Sequence, residues 1–117
     1  MGGTNDILMG RDARYCLKKL DEIVLCLQAK GAQVCIGMPP PIDVDLYDQD
    51  SVVVEYNALI DKYAKEKGIG TIDFYQPLHQ ASASNQVVYA GDVHPNQVGY
   101  HLMYQAAATV LIKMLSE

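Results

Sequence analysis

The sequence lacks several features that would place it at once in a functional class. It has no tryptophan and one phenylalanine, and nine basic residues stand against 14 acidic ones, for a net charge of −5. This charge argues against nucleic acid and anionic membranes as partners, because both select clustered Lys and Arg. No apolar run reaches the ~18 residues that span a bilayer, and no signal peptide is visible. We therefore expect a cytoplasmic protein.

Recognisable metal and nucleotide motifs are absent as well. The three cysteines have no metal-type spacing, and they are Cys16, Cys26 and Cys35. We expect buried, reduced thiols, with a reactive thiol or an intermolecular bridge as the alternatives. One loop resembles a calcium site but lacks the glycine and glutamate such a loop needs, and its aspartates are Asp43, Asp45, Asp48 and Asp50. There is no phosphate loop and no Gly-x-Gly-x-x-Gly. We expect no cofactor and no metal.

What the sequence does contain is an alternating α/β pattern. Helical periodicity predicts helices over residues 7–30, 52–67 and 97–115, the second capped by Asp50 or Ser51. Short apolar runs at 34–38 and 69–75 predict buried parallel strands, ended by the prolines at 39–41 and by Pro77. Residues 78–88 are polar and favour at most a short helical turn. This alternation is typical of a parallel sheet with helical crossovers. The eight tyrosines mostly sit at helical core spacing, which favours packing over a binding pocket.

Two strands are too few for the helices that accompany them. A two-stranded sheet is marginal alone, and parallel strands need neighbours and cover on both faces. We therefore expect residues 1–117 to form a single, incomplete domain, the C-terminal part of a larger α/β domain. The open edge of its sheet would pair with a complementing N-terminal half or with a second copy of the chain.

Two polar motifs carry the functional signal. The first is Gly3-Thr4-Asn5-Asp6, and the second is Asp92-Val93-His94-Pro95-Asn96 followed by Gly99-Tyr100. A loop histidine two residues after a carboxylate, just before a helix, is placed to transfer protons. Each motif also has a structural interpretation: a lone Asp-x-His is often a loop contact, Asn5 can be a turn residue, and Asp6 can cap the first helix. His79 and His101 are predicted to lie on the surface.

In this order, the motifs resemble those of the SGNH (GDSL-type) hydrolases. Gly3-Thr4-Asn5-Asp6 resembles that family's Gly-x-Asn-Asp motif, and the Asp92–Asn96 stretch with Gly99-Tyr100 resembles its C-terminal block. The segments 34–41 and 72–75 look like the strands between these blocks. The resemblance implies a partial flavodoxin-like three-layer α/β/α sandwich with parallel strands, whose N-terminal strands are missing.

The resemblance also implies a function, the hydrolysis of small-molecule carboxylic esters by an esterase, lipase or acetylesterase. His94 would be the general base, Asp92 would orient it, and Asn5 would donate to the oxyanion. The sequence departs from the family pattern twice: the acid usually lies three residues before the histidine, where this chain has Gly91, and the Gly-Asp-Ser nucleophile motif is absent.

The serines that are present are Ser51, Ser82, Ser84 and Ser116. None of them is predicted to lie at a strand-to-helix elbow, which a pre-organised nucleophile needs. We therefore expect the chain to be inactive alone. The alternative is a non-catalytic remnant or interaction module that pairs through its open sheet edge.

Overall fold

A computed structural model of the chain describes residues 2–42, 50–90 and 94–116. Seven elements follow one another along it: α1 (Thr4–Leu8), α2 (Ala13–Ala29), β1 (Cys35–Met38), α3 (Asp50–Lys67), β2 (Gly70–Asp73), α4 (Tyr75–Ala83) and α5 (Gln97–Ser116). The acidic loop residues 43–49 and the Gly91–Val93 segment lie outside the described residues, so the positions of Asp92 and of most of the predicted acidic loop are not among them.

The two strands form a parallel sheet, as the sequence predicts. They pair in register from Cys35 opposite Gly70 to Met38 opposite Asp73, and α3 is the crossover between them. Helix α3 packs on both strands, whereas α5 packs on β2 and on α4. The chain is thus a mixed α/β structure with helices around a parallel sheet.

The core lies where α2 and α3 pack together. Val53, Tyr56 and Ile60 of α3 are at most 1% exposed, and Val24 of α2 and Ile7 of α1 are equally buried. The hydroxyl group of Tyr63 donates to the Asp21 carboxylate at 2.6 Å and links the two helices at the rim of this core. Burial of apolar side chains at this interface stabilises the fold.

The predicted first helix, residues 7–30, is wrong in its limits, because the structure divides it into α1 and α2. The amides of Gly10 and Arg11 donate back to the carbonyls of Ile7 and Asp6, which closes α1 after a short helix. The residue that caps α2 is Asp12, whose carboxylate accepts from the Tyr15 amide at 2.8 Å. Asp6, for which the sequence allows either a cap of the first helix or a contact that fixes the loop, lies inside α1.

The second predicted strand is also shorter than expected. Asp73 ends it, because its carboxylate accepts from the amides of Tyr75 and Gln76 at 2.8 and 3.0 Å and so starts α4. Pro77 then lies in the first turn of α4, where no backbone donor is needed. At the start of α3, the Asp50 carboxylate accepts from the Ile42 amide and from the Tyr75 hydroxyl group, and this ties the loop after β1 to α4.

Two smaller predictions, on the cysteines and on two histidines, can also be judged. Among the cysteines, Cys16 is buried, Cys35 is partly buried and Cys26 is exposed, so the expectation of buried thiols is wrong for Cys26. His79 and His101 are exposed, as predicted. Within the described residues, no helix is long and apolar enough to cross a membrane, and no cluster of His, Cys, Asp and Glu side chains is arranged to hold a metal ion.

Candidate active site

Asn5 is presented at the start of α1 by a constrained glycine. Gly3 has a φ of 111°, and a Cβ atom there would lie 2.6 Å from Cε2 of the Tyr56 ring. A residue with a side chain would therefore meet both backbone strain and a buried aromatic ring. The carbonyl of Gly3 accepts from the Ile7 amide, and the buried Ile7 fixes the short helix to the core. Asn5 itself is exposed, so its amide group is available to a bound molecule.

The groups beneath this first turn stay uncharged over a wide pH range. Burial, the nearby Cys16 thiol and the Asp6 carboxylate raise the pKa of Tyr56 to about 12. Burial and the carboxylates of Asp6 and Asp12 raise the pKa of the Cys16 thiol. The phenol of Tyr56 and the thiol of Cys16 therefore add no charge of their own beneath Asn5 at neutral pH.

A backbone bridge and the Tyr89 hydroxyl group hold the loop that carries His94. Tyr89 and Pro95 form an antiparallel bridge, and the Ala90 amide donates to the His94 carbonyl at 2.9 Å. The hydroxyl group of Tyr89 donates to the carbonyl of Pro41 at 2.5 Å. The loop is therefore tied directly to the proline segment that follows β1, and His94 is exposed above it.

Asn96 caps α5 and joins it to the same loop. Its side-chain oxygen accepts from the Gly99 amide at 2.9 Å, and its side-chain nitrogen donates to the Val87 carbonyl at 3.0 Å. Gly99 allows this arrangement because a Cβ there would lie 2.3 Å from the Val88 carbonyl oxygen. The Asn-x-x-Gly spacing after His94 thus has a structural cause: it docks the first turn of α5 against the loop.

The two motifs meet in one cavity of about 200 Å³. Its walls combine the start of α1, the proline segment, the histidine loop and the first turns of α5, and they consist of Thr4, Asn5, Pro40, His94, Pro95, Tyr100 and Met103. Asn5 and His94 therefore lie on the same side of the molecule. This is the carboxyl-end edge of the sheet, where open α/β sheets place their sites.

Sequence reasoning missed part of the cavity wall. Tyr100 was assigned to helix packing, yet it is 54% exposed and lines the cavity. Pro40 was seen only as a strand terminator, although its place just after β1 puts it at the carboxyl edge. The amide nitrogen of Asn57 donates to the Pro39 carbonyl at 3.1 Å and holds the segment against α3. None of the four serines, all of which the structure describes, is among the residues that line the cavity.

Comparison with known proteins identifies the family of the chain. The model of the GDSL-like lipase/acylhydrolase family matches residues 1–102, and the chain therefore belongs to that family. Curated protein sequences give no significant match.

Solved structures of the same kind resemble the chain over most of its length. A member of the lipolytic protein G-D-S-L family from Veillonella parvula is 44% identical with a TM-score of 0.85, over 92% of this chain and 58% of that one. A GDSL-like lipase from Bacteroides thetaiotaomicron is 21% identical with a TM-score of 0.80, over 97% and 60%. The esterase domain of the ORF1 protein of the zebrafish ZfL2-1 retrotransposon is 16% identical with a TM-score of 0.73, over 97% and 66%. The chain thus spans less than two thirds of the length of each of these structures.

Proposed function

We propose that this chain supplies the base and one oxyanion donor of a GDSL-type ester hydrolase site, and that the nucleophile comes from outside these 117 residues. The observation that carries the proposal is that Asn5 and His94 line the same cavity. A serine hydrolase needs a base within reach of the hydroxyl group and donors for the charge that develops on the carbonyl oxygen.

In this proposal His94 takes the proton of the attacking serine and returns it to the leaving alcohol. The amide group of Asn5 donates a hydrogen bond to the oxyanion. Asp92, two residues before His94, is the proposed orienting acid. Ser51 in α3, Ser82 in α4, and Ser84 and Ser116 at helix ends are not proposed as nucleophiles, because none of them lines the cavity.

Pro40, Pro95 and Met103 present mostly carbon to the cavity. Its volume of about 200 Å³ belongs to the part of the site that this chain supplies. We propose carboxylic esters as the substrate class, because apolar walls of this kind suit a neutral acyl group.

The first test measures the chain by itself with p-nitrophenyl acetate. We expect only the slow, non-saturating reaction that any exposed imidazole gives, so that His94→Ala and the control His101→Ala lower the rate to a similar small extent. Saturable turnover by the chain alone, lost in His94→Ala and kept in His101→Ala, would show that a nucleophile is present and would contradict this part of the proposal.

The second test places the chain in a complete domain. The aligned portion of the Veillonella parvula protein is replaced by this chain, and the folding of each chimera is checked by circular dichroism. We expect ester hydrolysis that His94→Ala abolishes, that Asn5→Ala lowers about 10²–10³-fold, and that His101→Ala leaves unchanged. Equal activity of the folded chimera with and without His94 would refute the proposed base.

A further inference from the structure

A groove between α2 and α3 holds a cavity of about 390 Å³ that is separate from the candidate active site. Its described lining residues all come from these two helices, and they are Arg14, Leu17, Lys18, Asp21, Tyr63 and Lys67. None of them lines the cavity that Asn5 and His94 share. The volume lies within the roughly 300–1,000 Å³ usual for sites that hold small molecules. The proposed ester hydrolysis gives this groove no role.

The charged side chains of this groove are mostly basic. Arg14, Lys18 and Lys67 are three of the nine basic residues in a chain whose net charge is −5, and all three are exposed. The two ion pairs found within the described residues join other side chains, so none of these three cations is paired with a carboxylate there. The groove thus concentrates positive charge on an acidic protein.

Among the described lining residues, Asp21 carries the negative charge, and a tyrosine holds it in place. The Asp21 carboxylate accepts a hydrogen bond from the Tyr63 hydroxyl group at 2.6 Å. The Nζ atom of Lys67 lies 5.9 Å from the centre of the Tyr63 ring, so this cation and the ring belong to the same wall. Three cations and one carboxylate leave the described lining with a net charge of +2. Leu17 and the Tyr63 ring add apolar surface beside these charges.

The stability of α2 does not explain this distribution of charge. Arg14 lies in the first turn of α2, which contains no acidic residue, and a cation at that end opposes the helix dipole. The Asp12 carboxylate caps the helix by accepting from the Tyr15 amide, and it forms no ion pair with Arg14. Lys18 follows Arg14 at the four-residue spacing at which like charges repel on a helix. A bound anion would offset both of these unfavourable interactions.

We propose that this groove binds a small organic phosphate, a phosphate monoester with two negative charges and an aromatic or apolar group. The planar guanidinium group of Arg14 matches two phosphate oxygens at once, and Lys18 and Lys67 add point charges around them. A dianion balances the net charge of the lining, which a single carboxylate does not. The Tyr63 ring and Leu17 provide the contact for the organic group. The site is independent of the proposed function, because it shares no described lining residue with the candidate active site.

The test titrates the full 117-residue chain with phenyl phosphate at low ionic strength and follows binding by calorimetry and by the amide signals in NMR spectra. We expect saturable 1:1 binding that shifts signals of α2 and α3 and is at least tenfold tighter than that of benzoate, which has the ring but one negative charge. Lys18→Gln removes one cation of the groove and should weaken binding at least fivefold. Lys62→Gln removes the same charge at an exposed position of α3 outside the lining. This variant is the matched control and should bind like the unchanged chain.

Several results would overturn the inference. They are no saturable binding of phenyl phosphate at 10 mM, benzoate binding as tight as that of phenyl phosphate, or equal weakening by the two glutamine variants. Signal shifts at Asn5 and His94 in place of α2 and α3 would put the phosphate in the active-site cavity and would also contradict it. The variant His94→Ala separates the two proposals, since it should bind phenyl phosphate normally. Binding by the chain together with an inactive folded chimera would leave the groove standing and refute the proposed function.

Discussion

The pair α2–α3 and the helix α5 both carry large apolar side chains, but these side chains lie in opposite environments. Between α2 and α3, side chains such as Ile60 and Val24 are at most 1% exposed. Along α5, residues of the same kind, such as Ile112 and Leu115, are 65% and 85% exposed. The interface between α2 and α3, here called the closed region, is buried, although α2 exposes Ile23 and Leu25 on its outer side. Helix α5, here called the open region, packs on β2 and α4 and leaves another side exposed.

The two residues of the candidate site are supported by different regions. The closed region supports Asn5, because Gly3 packs on the Tyr56 ring. The open region supports His94, because Asn96 docks α5 against the histidine loop. The cavity therefore lies between the closed region and the open region. Its geometry should depend on both, and covering the exposed apolar side chains of α5 should stabilise the loop that carries His94.

The largest expected effect comes from truncating the same residue type in the two regions. Ile60→Ala removes a fully buried side chain and should lower the free energy of unfolding by about 2–5 kcal/mol. Ile112→Ala removes a side chain that is 65% exposed, and its effect should stay within about 0.5 kcal/mol. Urea denaturation followed by circular dichroism measures both. Similar losses for the two variants would mean that α5 is already covered in solution and that the two regions do not differ in burial.

A smaller effect is expected where the closed region holds the Asn5 turn. Gly3→Ala forces a side chain into a φ of 111° against Tyr56, and it should cost about 1–3 kcal/mol. Gly2→Ala is the matched control, since a Cβ at Gly2 has no heavy atom within 4 Å. Thermal unfolding compares the two variants. If they melt at the same temperature, Gly3 does not anchor the turn, and Asn5 is not held by the core.

Local sequence patterns predicted the helices and strands whose apolar periodicity runs without interruption. The apolar run at residues 34–38 and the helical spacing at 52–67 and 97–115 needed little correction. They failed where two signals overlapped: helical spacing runs on across the break between α1 and α2, and the Asp12 cap was overlooked. Pro77 stops a strand and also fits the first turn of a helix, and only the Asp73 carboxylate, which accepts two amides there, decides between them.

The sequence predicts that Asn5 and His94 lie near each other, because this placement follows from the topology of a parallel sheet. Parallel strands bring the residues after them to one edge, so Asn5 and His94 were expected together. The contact of Tyr89 with the Pro41 carbonyl joins positions 48 apart, and no local pattern reports such a pairing. Periodicity likewise shows that α5 is apolar without showing which of its sides is covered, because cover depends on what packs there and not on the helix itself.

The smallest expected effect is a pH dependence confined to the closed region. Burial, followed by the hydrogen bond to the Asp21 carboxylate, raises the pKa of Tyr63 to about 12, against about 10 for a free tyrosine. Since the folded-state pKa is the higher one, the stabilisation is fully present below about pH 10 and is lost as the pH rises towards 12. Tyr63→Phe should therefore cost about 1 kcal/mol near pH 8, and this cost should shrink between pH 10 and 12. Urea titrations at a series of pH values measure it. Tyr104→Phe in α5, where the residue is 66% exposed, is the control and should cost little at pH 8. A cost for Tyr63→Phe that stays constant or grows with pH would show that the hydroxyl group does not bridge α2 and α3 as a donor, and one of the contacts that distinguish the closed region would be lost.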